Sequence, residues 1–88
     1  MTNDNSNKDS FSSPSPKRIY AYFIPATFSD NGFVKDINAV KTVAKIMNYC
    51  NTQGIDASGK CHCYCGLIII TYKSDNSLNE IFDSFVVQ

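Results

Sequence analysis

The residues best able to do chemistry are crowded into one short stretch, Cys61-His62-Cys63-Tyr64-Cys65, which holds three of the four cysteines and the single histidine of the 88-residue chain. Thiolate and imidazole are zinc ligands, nucleophiles and redox groups. On an extended strand the three thiols project from one face, with neighbours roughly 6.6–7 Å apart. That is wide for one tetrahedral zinc, whose sulfurs sit ~2.3 Å from the metal. A bend at Gly66 would bring them closer, and Cys50 at the end of a preceding helix would complete a four-thiol set. The paired C-x-x-C knuckles of common zinc folds are absent, so Cys50, Cys61, Cys63 and Cys65 read first as small buried apolar groups and only second as metal ligands.

Catalysis by His62 needs an acid or nucleophile within hydrogen-bond reach. Lys60 and Tyr64 share its strand face, a constellation not specific to any reaction. The chain has one glutamate, Glu80, so paired-carboxylate chemistry has little to work with. No phosphate-binding glycine loop, metalloprotease helix or nucleophile elbow occurs. The reading is non-enzymatic, with no cofactor.

Four elements behind a tail must position these residues. Met1–Lys17 is rich in Asn, Ser, Asp and Pro with one aromatic, Phe11, and is expected to be a disordered tail, since it has too little apolar area to offset its ordering entropy. A small domain then runs from residue 18 to 88. Ile19–Ile24 is aromatic and β-branched and ends at Pro25, so it is a strand. Asn31-Gly32 is a turn signal, expected in a loop leading to a helix. Ile37, Val40, Val43, Ala44, Met47 and Cys50 recur at steps of three and four, the mark of an amphipathic helix, capped by Asp36 and ended by Gly54. Cys61–Tyr72 reads as a long strand with a bulge or bend at Gly66, and Ser58-Gly59 is a possible extra turn. Ser77-Leu78-Asn79-Glu80 matches a capping box ahead of a last helix with Leu78, Ile81, Phe82, Phe85 and Val86 on its apolar face.

The expected fold is therefore α+β or α/β, a small two-layer sandwich in β-α-β-α order, with two or three strands and two helices on one face. A helix between two strands predicts a crossover to a parallel neighbour. With Ile19, Ala21 and Phe23 facing the helices, and Cys61, Cys63, Cys65, Leu67 and Ile69 beside them, the opposite face would carry Tyr20, Tyr22, His62, Tyr64, Ile68, Ile70 and Tyr72. So apolar a face is seldom left bare, and sheet edges invite pairing with another chain.

Function is accordingly expected to lie in association. The sequence predicts a small protein-binding regulator, inhibitor or adaptor, of the kind phages and mobile elements use against larger machines, and a homodimer. Tyrosines on a sheet are also a platform for single-stranded nucleic acid, an alternative not favoured here because eight basic and eight acidic side chains balance and leave no phosphate-neutralising surface. A zinc-stabilised domain is the further alternative. No apolar run reaches the ~20 residues of a membrane helix and no secretory signal opens the chain, so the expected setting is cytoplasmic, without a membrane partner.

Overall fold

The computed structural model describes residues 17–88; the tail expected over residues 1–17 lies outside them except for Lys17. Three antiparallel strands and two helices make a mixed α+β unit. In chain order these are β1 (Arg18–Pro25), α1 (Ile37–Thr52), β2 (Ala57–His62), β3 (Leu67–Ser74) and α2 (Asn79–Asp83). The sheet order is β1-β3-β2. The order is thus β-α-β-β-α, not β-α-β-α.

Two expectations are corrected by the turn at Gly66. Cys63–Gly66 is a reversal between two strands and not a bend within one. The Cys65 amide donates to the His62 carbonyl (3.0 Å) and that of Gly66 to the Cys63 carbonyl (3.2 Å). Gly66 has φ +66°, a left-handed conformation that costs a glycine little. Ser58-Gly59 lies inside β2 rather than at a turn. Because β3 folds back between β1 and β2 and is antiparallel to both, β1 and β2 run parallel but are not neighbours. The β1-α1-β2 crossover skips one strand.

Asn31-Gly32 closes a small hairpin ahead of α1, with a Phe28–Val34 bridge and a Lys35 amide bonded to the Thr27 carbonyl at 2.9 Å. Asp36 caps α1, its Oδ1 accepting from the amides of Asn38 (3.0 Å) and Ala39 (3.2 Å). At the other end the Ile55 amide donates to the Cys50 carbonyl and that of Gly54 to Asn51, with Gly54 at φ +69°; this is a Schellman closure.

The second helix is only five residues long, and the expected capping box does not form. Ser77 Oγ accepts from the Asn79 amide (3.3 Å), and the Leu78 amide donates to the Tyr72 hydroxyl (2.7 Å). A tertiary contact has replaced the local cap. Of the expected apolar face Phe82 is fully buried, whereas Ile81 and Val86 are exposed.

The core lies between α1, Phe82 and one face of the sheet. Its buried members include Tyr22, Ile24, Ile68, Ile70 and Tyr72 from the strands and Ala39, Ile46 and Cys50 from α1. Thr42 is buried with them. Its Oγ1 donates to the Asn38 carbonyl (2.9 Å) and accepts from the Val87 amide (3.0 Å), tying the end of the chain to α1.

Candidate functional site

The sheet faces the helices with the side opposite to the one expected. Register pairs Tyr20 with Tyr72, Tyr22 with Ile70 and Ile24 with Ile68, so these six share the helix side. The Tyr20 and Tyr72 rings stack at 5.5 Å. Phe82 meets Tyr72 edge-on at 5.0 Å and Tyr22 at 5.4 Å. Each buried phenol finds a partner: Tyr22 donates to Asp83 Oδ1 (2.6 Å) and Tyr72 to Asn79 Oδ1 (2.8 Å). Burial first, and then the Asp83 carboxylate beside it, pushes the Tyr22 pKa up to about 12.

Tyr22, Tyr72, Ile68 and Ile70 are therefore core residues, and Tyr20 is packed against them. They do not form an exposed platform for a partner or for bases. The reason is that hydrogen bonds from α2 and its flank let the tyrosine tips be buried, which frees that face to be the core. The cysteine expectation is reversed in the same way. Cys61, Cys63 and Cys65 are exposed, and only Cys50 is buried; burial raises its thiol pKa. His62 and Tyr64 are exposed, Tyr64 entirely so at the hairpin tip.

The four cysteines do not assemble. Cys50 sits in the core while the other three are on the strand end and turn. Among the described residues no group of three or more His, Cys, Asp or Glu is placed to hold a metal. The donor set does not fit a zinc site.

Among the described residues two apolar surfaces remain open. One is the far side of the sheet, where Ile19 and Phe23 are 69% and 56% exposed. Ser58, Lys60, His62, Thr71 and Lys73 alternate onto that same side, which makes it a mixed face. The other is a groove of about 440 Å³ between α1 and β2. Its helix wall is Val40, Val43, Ala44 and Met47, and its floor is Gly59, Cys61 and Ile68, with Val34 at one end.

This groove exists because α1 buries the wrong stripe for its own apolar pattern. Each residue advances about 100° around a helix. The fully buried positions Ala39, Thr42, Ile46 and Cys50 lie about a quarter-turn away from Val40, Val43, Ala44 and Met47. Of the stripe expected in the core only Cys50 is buried, Val43 and Met47 are half-buried, Ala44 is exposed, and Ile37 and Val40 are 62% and 44% exposed. Lys41 and Lys45 fall on another side of the helix, so the groove wall is uncharged.

The floor adjoins a strand edge that is open among the described residues. The Lys73 amide bonds the Asp56 carbonyl at 3.0 Å. In an antiparallel ladder bonded pairs alternate, so Ser58, Lys60 and His62 bond β3. The N–H and C=O groups of Ala57, Gly59 and Cys61 then point out from the edge. The outer edge of β1 differs: Asp36, Asn38, Ala39 and Thr42, with Val86 and Val87, flank it around a smaller cavity of about 180 Å³.

Set against family models, curated proteins and solved structures, the chain matches none of them. Function has to be argued from the site. No helix among the described residues is long and apolar enough to cross a membrane.

The sequence reading missed Gly59 and Val40 as site residues. A signal was available for Gly59: a glycine in a strand often marks a place where another backbone or ligand approaches.

Proposed function

We propose that the chain is a non-enzymatic protein-binding module, a small regulator, inhibitor or adaptor, which takes its partner in the α1/β2 groove and along the free edge of β2. One observation carries this reading: the apolar stripe of α1 is turned off the core and opens over an edge strand. The groove offers an uncharged wall for side chains, and the edge offers unpaired backbone groups for a ladder. Strand addition beside an apolar groove is a recurrent way of binding protein, in which main-chain bonds supply affinity and pockets supply selectivity. Catalysis has no comparable support, since His62, Cys63 and Cys65 stand away from the groove and Cys61, the one thiol on its floor, has no acid or base beside it in the lining. Three exposed free thiols suit a reducing compartment such as the cytoplasm.

The test is a photo-crosslinking residue at position 44 in the full chain, irradiated in extract of the native host. Protein adducts should form from position 44, fail from position 45 on the other side of α1, and disappear with Val40→Glu. Equal labelling from both positions, or none from position 44, overturns the reading.

A further inference from the structure

Resting on the groove as a protein-binding site, we infer that its occupant is a second copy of this chain, joined through antiparallel β2–β2 pairing centred on Gly59. The occupant has to supply two things at once, a free strand edge and an apolar surface beside it to cover the groove. The β2/α1 unit supplies both.

The edge also fixes how two copies meet. Outward groups belong to Ala57, Gly59 and Cys61 and to no residue between them. A hydrogen-bonded ladder between two such edges must therefore set these residues against one another. Directly opposed residues share a sheet face. Since Ala57, Gly59 and Cys61 all belong to the helix side of the sheet, both copies carry their helices on the same side. The two α1 stripes then flank the junction together, and the two grooves open onto it.

Among the registers this allows, one pairs every outward group. It sets Gly59 against Gly59 of the second copy, and Ala57 against Cys61 in both directions. No side chain occupies the centre, where the helix walls approach. Lys60 then faces Ser58 of the second copy. A shift of the two-fold axis to Lys60 would oppose two like charges, which destabilises a cross-strand pair, and would leave the Ala57 groups unpaired. The outcome is a continuous six-stranded sheet with no exposed β2 edge, which removes the edge liability as well as the bare stripe.

Two measurements on the full chain test this. The unaltered protein, kept reduced, is followed by sedimentation equilibrium, and Gly59→Glu, which places two carboxylates at the proposed axis, is run beside it. A dimer that Gly59→Glu converts to a folded monomer is expected. Register is read in chains with Cys61, Cys63 and Cys65 replaced by serine. One carries Ser58→Cys and another Lys60→Cys, and the two are mixed under mild oxidant. The expected disulfide joins the two different chains, because Ser58 and Lys60 of opposite copies form a non-hydrogen-bonded pair whose side chains lie close.

A Lys60→Cys chain that crosslinks to itself more readily than to the Ser58→Cys chain overturns the register. A monomer at high micromolar concentration with no crosslink in any mixture overturns the second copy as occupant. If the residue at position 44 then labels a protein of foreign mass, the binding groove itself stands. If it labels nothing, both readings fall.

Discussion

The Tyr22 hydroxyl donates a 2.6 Å hydrogen bond to Asp83 across 61 residues of sequence, and this contact lets Tyr22 of β1 be a core residue. The bond joins the first strand to the end of α2, while the ring packs on Phe82. Stability should therefore respond to pH on the alkaline side. Burial and Asp83 both favour the protonated phenol, so the folded-state pKa, about 12, lies above the ordinary 10.0. The contribution is complete below the unfolded pKa and is lost as pH rises from about 10 through about 12. Tyr22→Phe should cost about 1 kcal/mol near neutrality, given the exposed acceptor, and should flatten that alkaline decline. Urea melts of both proteins across this range provide the check.

Tyr72 holds more of the fold than Tyr22. Its hydroxyl accepts from the Leu78 amide and donates to Asn79, and Asn79 Nδ2 reaches the Ala21 carbonyl at 3.4 Å. Removing the hydroxyl orphans the first amide of the α2 turn. Tyr72→Phe is expected to cost about 1–2 kcal/mol, and Tyr72→Ala about 3–5 kcal/mol because the whole buried ring goes with it. Thermal melts rank the two, and equal costs would show that the hydroxyl network is idle.

Asp36 makes the start of α1 a local affair. Its carboxylate accepts from two otherwise unpartnered amides. Asp36→Ala should lower stability by about 1 kcal/mol and Asp36→Ser should restore most of it. Chemical denaturation of the three proteins decides the point.

These contacts explain what was legible in the sequence. Asp36, Gly54 and the strand Ile19–Ile24 act through their neighbours in the chain, and each is where local rules place it. The face of the sheet is not a local property. Both sides of β1 are apolar, and what chooses between them is the pair of acceptors, Asp83 and Asn79, that let Tyr22 and Tyr72 be buried. The Cys63–Gly66 turn was hidden because it contains no Pro, Asn or Asp. Its one signal, Gly66, fits a bulge equally well. The same non-locality hid the binding groove: periodicity placed Val40, Val43, Ala44 and Met47 on one stripe but could not say that the sheet would take the stripe beside it.

Metal removal separates this fold from a zinc-held one. With Cys50 in the core and Cys61, Cys63 and Cys65 exposed, excess chelator should leave the melting temperature and circular dichroism unchanged. Replacing the three exposed cysteines by serine should shift stability within about 0.5 kcal/mol, as surface substitutions do. Unfolding on chelation would reinstate a metal site.

Hydrogen exchange at the Gly59 amide reads the occupied edge directly, since that N–H points away from β3 and has no partner among the described residues. In the concentrated wild-type protein it should exchange slowly, and Val40→Glu should release it while the core amide of Ile70 stays protected. Gly59 exchanging at an unprotected rate at every concentration, and equally with host extract added, would contradict the assignment of this edge and groove as a protein-binding site.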